Sequence, residues 1–137
     1  MRLIAVFDTN ILLSGVGWRG EPYRCLELAR VGIVEGVTCQ ELLDELTEKL
    51  QARLNFSAAQ VTDTIADLLS FLRLATITNT LKVVSVDPDD DKVLECAVVG
   101  GASHIVTGDR RHLLPMGNYQ GIPIVSAADF LALVSVP

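Results

Sequence analysis

Arg2-Leu3-Ile4-Ala5-Val6-Phe7-Asp8-Thr9-Asn10 is the stretch that decides the fold, because five apolar residues run directly into a carboxylate, a hydroxyl and an amide. A continuous apolar run of this length predicts a strand that is buried on both faces, as at the centre of a parallel sheet. In open α/β sheets, ligands bind beyond the carboxyl ends of such strands. Asp8 is therefore expected at the ligand-binding edge.

The composition predicts one globular domain. The chain has 137 residues, half of them apolar, which is enough for a hydrophobic core that needs no disulfide or structural metal to fold. The apolar runs are too short to span a bilayer, and the first residues lack the pattern of a signal peptide, so we expect a cytoplasmic protein with no membrane partner. Three widely spaced cysteines indicate reduced core residues rather than metal ligands.

The net charge of -6, from 17 acidic and 11 basic residues, argues against a surface that attracts nucleic acid everywhere. The balance changes locally if carboxylates converge on divalent cations, since two such ions would bring -6 to -2. The acidity is then expected to belong to a site.

Helix starts are indicated by Pro22 in a first turn, by capping boxes at Thr38 and Ser57, and by Asp87-Pro88. The expected helices are Thr9 to Ser14, followed by a mobile glycine loop at 15–20, then Glu21 to Arg30, Thr38 to Leu54, Ser57 through Leu72, Asp87 to the glycines at 100 and 101, one turn at Arg110 to Leu114, and a short helix after Ser126.

The strands alternate with these helices. They are expected at the run ending in Phe7, at Gly32 to Val37, at Lys82 to Val86, at His104 to Thr107, and at Ile122 to Val125, with Pro123 placing the last one at a sheet edge. This alternation predicts an α/β protein with three α/β/α layers and a central parallel sheet of about five strands, formed by a single domain over residues 1–137.

Helical rotation indicates which acids point inward. At about 100° per residue, Asp90 lies within about 10° of the centre of the apolar stripe of its helix, whereas Asp89 and Asp91 lie about 90° or more to either side. On the helix after Thr38, Glu45 lies about 110° from the stripe centre and the other acids lie further away. With Asp8 and Asp109 at two strand ends, the candidate set is Asp8, Glu45, Asp90 and Asp109.

Carboxylates that gather in one place need a compensating charge. Two negative charges 4 Å apart repel by about 4 kcal/mol at an effective dielectric constant of 20, and several such pairs rival the stability of a whole domain. Protons or a metal must relieve this repulsion. Sites built from Asp and Glu, without Cys or clustered His, suit Mg2+ or Mn2+ better than Zn2+.

Each candidate also has an ordinary structural explanation. Asp8 would cap the following helix, Asp109 would cap the turn at Arg110, Asp90 would favour the helix dipole, and Glu45 would lie on a solvated face. Thr9, Asn10 and Thr107 would orient a ligand carboxylate or a water, although Thr107 is equally a strand residue. His104 and His112 are too few and too scattered to predict a metal centre, and His112 would equally pack against the last strand.

Four motifs occur in order: Phe7-Asp8-Thr9-Asn10-Ile11-Leu12, Glu41-Leu42-Leu43-Asp44-Glu45-Leu46, Asp87-Pro88-Asp89-Asp90-Asp91-Lys92-Val93-Leu94 and Ile105-Val106-Thr107-Gly108-Asp109. Together they resemble the PIN-domain nucleases, and in particular the bacterial group of VapC-like toxins from toxin-antitoxin systems. The resemblance covers nearly the whole chain, including the end at Ile124 to Leu131.

The resemblance implies a Mg2+- or Mn2+-dependent endoribonuclease that hydrolyses RNA phosphodiester bonds. It places the metal-holding and catalytic acids at Asp8, Glu45, Asp90 and Asp109, with Asp91 as an added carboxylate and Thr9 or Asn10 as the supporting residue after the first acid. Many relatives carry a further acid where this chain has Arg110-Arg111-His112. Toxin relatives also imply a cognate antitoxin and a homodimer or higher homo-oligomer.

Basic residues around the acids are candidates for binding the RNA: Arg19, Arg24, Lys49, Arg53, Arg110 and Arg111, with Trp18 stacking on a base. The alternative from another class is a catalytically silent PIN-like module that binds RNA or protein. Aspartate-nucleophile phosphatases fit less well, because Asn10 stands where their second aspartate is expected. Receiver domains need an early aspartate pair and a late lysine that this chain lacks.

Overall fold

The computed structural model describes residues 2–81 and 88–135, apart from the side chain of Pro88. Its strands are β1 (Ile4–Phe7), β2 (Glu35–Cys39), β3 (Leu72–Ala75), β4 (His104–Val106), β5 (Asn118–Tyr119) and β6 (Ile122–Val125). Its helices are α1 (Thr9–Gly17), α2 (Glu21–Arg30), α3 (Gln40–Leu54), α4 (Ala58–Leu69), α5 (Pro88–Val99), α6 (Leu113–Met116) and α7 (Ala127–Ser135). The strand expected at Lys82 to Val86 and the cap expected at Asp87 lie outside the described residues.

The strands form one six-stranded sheet in the order β3-β2-β1-β4-β6-β5, within the described ranges. All neighbouring pairs are parallel except β5 with β6. β1 is central, with β2 on one side and β4 on the other, so the chain changes direction across the sheet between β1 and β4. A crevice beyond the carboxyl ends of the strands is expected at such a switch point.

Side chains from β1 pack on both faces of the sheet, as its continuous apolar sequence predicts. Ala5 and Phe7 belong to a core that includes residues of α1, α2, α4 and α7, and the ring of Phe7 meets that of Phe130 edge to face. Val6 belongs to a second core that includes residues of β2, β4 and α5. The two cores confirm the predicted three-layer α/β/α architecture.

The predicted glycine loop after α1 is shorter than expected. Gly15 and Gly17 belong to α1, which ends three residues later than predicted, and the connection to α2 is the segment 18–20. A Cβ on Gly15 would collide with the side chain of Leu26. This glycine therefore allows close approach of α1 and α2, a tertiary requirement that resembles a loop signal in the sequence.

The predicted capping box at Thr38 is wrong. Thr38 lies inside β2 and is fully buried, and α3 begins after Cys39, which forms no side-chain cap. Because β2 pairs with both β1 and β3, the sheet keeps the chain extended beyond the predicted strand end at Val37. The end of α3 at Leu54 agrees with the prediction.

The helix predicted from Ser57 begins as expected but ends earlier. Ser57 and Gln60 form the predicted capping box. The helix ends at Leu69, and Leu72 belongs to β3, which pairs with β2 at the edge of the sheet. This strand carries no β-branched residue, so only its pairing with β2 reveals it.

The last strand is not the edge of the sheet. β6 lies between β4 and the two-residue β5, whose Asn118 is opposite Pro123. The predicted turn before Pro115 is α6, which begins later and includes this proline in its first turn, where no N–H is needed. The helix after Ser126 is confirmed, and the Ser126 hydroxyl accepts a bond from the N–H of Asp129 at 3.1 Å.

A buried carboxylate on α5 anchors the segment that follows β3. Glu95 is only 8% exposed and accepts bonds from the backbone N–H groups of residues 78, 79, 80 and 81 at 2.6 to 3.1 Å. The Thr78 hydroxyl donates to the same carboxylate at 3.2 Å. Although burial favours the neutral form, these donors hold the pKa of Glu95 below its ordinary value.

Among the helices of the described segments, none is long and apolar enough to cross a lipid bilayer.

Candidate metal centre

Polar side chains follow β1 and β4 where these neighbouring strands end. Phe7 pairs with Val106, so Asp8 and Thr107 are the next residues on adjacent strands. The Thr107 hydroxyl donates to Asp8 Oδ2 at 2.7 Å and accepts from the backbone N–H of Asp109 at 3.0 Å. One hydroxyl thus links the two strand-end aspartates.

Asp8 is buried and held by three donors. The Thr9 N–H donates to Oδ1 at 2.7 Å, and the Asn10 amide donates to Oδ2 at 3.1 Å beside the Thr107 hydroxyl. Burial raises the pKa of Asp8 above its ordinary value, and the negative charge of Glu45 raises it further, against these hydrogen bonds. The carboxylate is therefore in an environment that favours a cation or a proton nearby.

Asp109 has the opposite electrostatic balance. Its Oδ1 accepts from the N–H groups of Arg111 and His112 at 3.0 and 3.3 Å, and its Oδ2 accepts from Leu113 at 3.1 Å. Burial opposes ionisation, but these backbone donors bring the pKa of Asp109 below its ordinary value. Asp109 also organises the turn that leads into α6.

The structure places the four candidate acids around one cavity of about 330 Å³, whose other lining side chains in the described ranges are Asn10, Lys49, Asp89, Arg111 and His112. Asp90 reaches the cavity from the first turn of α5 and is 7% exposed, as its rotation on the helix predicts. Glu45 reaches it from α3, where it pairs with Lys49 at 2.9 Å. Their role as metal ligands stays a prediction.

The supporting residues divide into two groups. Asn10 connects the strand ends, because its amide donates to Asp8 and its Oδ1 accepts from the Gly108 N–H at 2.9 Å. Thr9 is buried and contacts Asp8 through its backbone N–H, whereas its hydroxyl makes no hydrogen bond to the described residues. Asn10 and Thr107 are thus placed to position Asp8.

Asp91 differs from the sequence prediction. It is as buried as Asp90, at 6% exposed, although rotation placed it well to the side of the apolar stripe. Asp91 lies one helical turn before the buried Glu95, so it shares a buried face of α5 that the apolar stripe alone did not predict. Asp91 does not line the cavity, whereas the exposed Asp89 does.

His112 lies at the site, against the sequence interpretation that it was too scattered for a metal centre. Its Nδ1 is 3.2 Å from Asp90 Oδ2 and 3.7 Å from Asp109 Oδ2. Ligand atoms of these three residues lie within 4.8 Å of one another. Two signals for it were present in the sequence: its position three residues after Asp109, and its place in the segment where many relatives of the resembled family carry a further acid.

The six basic residues proposed to bind RNA are not gathered in one place. Lys49 and Arg111 line the acidic cavity, and Arg110 lines a second cavity of about 410 Å³ that shares Asn10 with it. Arg24 lies in a different groove between α2 and α7, Arg19 stacks on the ring of Tyr23, and Arg53 is exposed in the last turn of α3. Trp18 is 60% exposed.

The donor set fits a hard divalent cation. A carboxylate offers about four lone-pair sites. Asp8 uses three in hydrogen bonds and Asp109 uses three, so each keeps capacity for an ion. Carboxylate-rich sites of this kind suit Mg2+ and Mn2+.

The fold and the acidic cavity define a class of protein, and comparison with known proteins names it. The family model described as the PIN domain matches residues 4–111, which is most of the chain, so the protein belongs to the PIN domain family. The family resemblance read from the sequence is therefore confirmed. The search of curated proteins found no match.

Two solved structures share the fold. VapBC2 from Rickettsia felis, crystallised with a DNA fragment from its promoter, is similar with a TM-score of 0.61 and 15% identity over 90% of this chain and 98% of that one. PAE2754 from Pyrobaculum aerophilum is similar with a TM-score of 0.63 and 12% identity over 98% of this chain and 97% of that one. At these identities the likeness establishes the fold alone.

Proposed function

We propose that this protein is a divalent-metal-dependent endoribonuclease. The observation that carries the proposal is that acids from four separate elements, at Asp8, Glu45, Asp90 and Asp109, line one cavity at the switch point of the sheet. Their mutual repulsion would be costly unless the arrangement serves a cation. Membership of the PIN domain family supports nuclease chemistry at such a site.

The four acids would hold one or two Mg2+ or Mn2+ ions, which supply an activated water and neutralise charge on the phosphate. The chain's own residues prepare this site. Thr107 and Asn10 hold Asp8 in a fixed orientation, and the backbone of the 109–113 turn holds Asp109. Fixed ligands lower the reorganisation needed when a substrate enters.

The RNA backbone would be held by the cations nearest the acids. Lys49 and Arg111 border the acidic cavity, and Arg110 borders the adjoining one. Phosphate contacts of this type position a nucleic acid without reading its sequence. Arg19, Arg24 and Arg53, which lie elsewhere, would then contribute through more distant parts of the substrate.

The test is cleavage of an end-labelled single-stranded RNA by untagged protein with Mg2+, with Mn2+ and with excess chelator. Asp8→Asn is the critical variant, because asparagine keeps a capping side chain at the start of α1. We expect at least about a 100-fold loss of rate, and no loss for the control Asp44→Asn on the exposed side of α3. Cleavage that survives either chelator or Asp8→Asn would refute the proposal.

The alternative is a catalytically silent module that binds RNA or protein. The observation in its favour is that the chain's own basic side chains reach the acids, since Lys49 forms an ion pair with Glu45 and His112 Nδ1 lies 3.2 Å from Asp90 Oδ2. Calorimetric titration with divalent ions, combined with the cleavage assay, separates the two functions. Binding of RNA without ion binding or cleavage would favour the silent module.

We further propose that the nuclease is the toxin of a toxin-antitoxin pair. The shared fold with VapBC2 supports this role, and an antitoxin segment would cover the acidic cavity. Expression of the protein should stop bacterial growth, Asp8→Asn should abolish the arrest, and co-expression of a small neighbouring open reading frame should relieve it. Growth unaffected by the active protein would contradict the toxin role while leaving nuclease activity intact.

A homodimer or higher homo-oligomer is proposed through apolar helix faces. Val31, which directly follows α2, is 65% exposed, and Leu133 on α7 is 49% exposed. A groove of about 350 Å³ lies between these two helices. Light scattering after gel filtration gives the mass in solution. A monomer at all concentrations would contradict this part of the proposal.

A further inference from the structure

His112 belongs to a segment that Asp109 organises and brings to the acidic cavity. The N–H groups of residues 111, 112 and 113 all donate to the Asp109 carboxylate, so the backbone of His112 is fixed relative to that acid. Its imidazole is partly buried, with 28% of the side chain exposed, and it lines the cavity.

The distances from His112 match those between ligands of one ion. Two ligand atoms at right angles, each about 2.1 Å from a metal, are about 3.0 Å apart, and opposite ligands are about 4.2 Å apart. The His112 Nδ1 atom lies 3.2 Å from Asp90 Oδ2 and 3.7 Å from Asp109 Oδ2, between those limits. The imidazole nitrogen therefore lies at a ligand-to-ligand distance from each of the two carboxylate oxygens, and ligand atoms of all three residues lie within 4.8 Å of one another.

We propose that His112 is a nitrogen ligand of the metal site and that it makes the site prefer Mn2+ to Mg2+. Mg2+ takes oxygen ligands and keeps its waters, whereas imidazole favours first-row transition ions. The carboxylates of Asp90 and Asp109, with Asp8 and Glu45 nearby, keep the site rich in the oxygen ligands that Mn2+ also accepts. This inference deepens the proposed function and rests on it for the identity of the ligand site.

The direct test is pulsed electron paramagnetic resonance of Mn2+ bound to untagged protein. The chain has two histidines, so a coordinated imidazole gives a nitrogen-14 modulation that substitution can assign. We expect the modulation in the wild type, its loss in His112→Asn, and its retention in the control His104→Asn. The backbone N–H of residue 112 can still donate to Asp109 in either variant, so the substitution changes the imidazole and not the turn. If His112→Asn unfolds at a much lower temperature than the wild type, His112→Gln is used in its place.

Calorimetry provides the second readout. We expect His112→Asn to lower Mn2+ affinity by at least about tenfold while Mg2+ affinity changes by less than about threefold. Wild-type protein without nitrogen modulation, an unchanged ratio of the two affinities, or no binding of either ion would overturn the inference. These outcomes are independent of RNA cleavage: nitrogen-coordinated Mn2+ without cleavage refutes only the nuclease, and cleavage without nitrogen coordination refutes only the role of His112.

Discussion

Replacing Glu95 by glutamine tests how strongly one buried carboxylate holds the segment 78–81 that follows β3. The carboxylate accepts four backbone N–H bonds and one hydroxyl bond, divided between its two oxygens. The side-chain amide of the variant would place its own N–H atoms against at least two of these donors. The donors at residues 80 and 81 then lose their acceptor if the amide nitrogen replaces Oε1.

Each lost donor partner costs about 1–3 kcal/mol, and the exposed position of residues 78–80 allows water to compensate in part. We therefore expect Glu95→Gln to lower the free energy of unfolding by about 2–3 kcal/mol, measured by urea denaturation at pH 7. The exposed Glu48→Gln on α3 is the matched control and should change it by less than about 0.5 kcal/mol.

The same contact predicts a pH dependence with a definite sign. The pKa of Glu95 is lowered in the folded protein, so its contribution to stability is fully present above the unfolded pKa of about 4.3 and is lost as pH falls through the folded pKa. The difference between wild type and Glu95→Gln should therefore shrink below about pH 4. A midpoint for Glu95→Gln equal to that of wild type at pH 7, or a difference that grows in acid, would refute the reasoning.

Three further substitutions have expected outcomes. Thr107→Val should lower the free energy of unfolding in urea by about 1–3 kcal/mol and weaken divalent-ion binding, whereas Thr107→Ser should keep the wild-type stability and ion affinity. Equal behaviour of the two variants would argue against the hydroxyl link between the strand ends. Gly36→Ala should lose about 1–3 kcal/mol, because its Cβ would collide with the buried Leu72 side chain and press on Ala29 and Phe7. A melting temperature equal to that of the wild type would contradict the packing argument. Lys49→Gln should tighten divalent-ion binding by about two- to fivefold in calorimetry, because it removes a competing cation, and the control Arg53→Gln should not change the affinity. Weaker ion binding in Lys49→Gln would be inconsistent with that competition.

Several elements were determined by residues close together in the sequence. The apolar run of β1, the capping box of α4 and the proline in the first turn of α2 each depend on neighbours within one helical turn or one strand. The burial of Asp90 followed from its rotation relative to the apolar stripe of its own helix. Such signals are present before the chain has any tertiary contact, so the sequence alone can carry them.

Other elements depended on pairing that no local pattern records. Leu72, the first residue of β3, was predicted as the end of a helix because it continues the apolar spacing of α4, and only its ladder with β2 makes it part of a strand. Thr38 resembles a helix cap but is held extended by the same ladder. In both places tertiary hydrogen bonding overrides local propensity.

The residues of the candidate metal site likewise divide into those that the sequence predicted and those that only the tertiary structure revealed. The sequence by itself determined that Asp8 and Asp109 follow strands and that Asp90 lies on an inward helix face, because period and position decide that, but it did not predict the burial of Asp91. Only the tertiary structure decided that Thr107 bonds Asp8 across 99 residues and that His112 reaches Asp90. The physical reason is that such contacts depend on the register of β1 with β4 and on the packing of α5 and the 109–113 turn, which the whole core sets together.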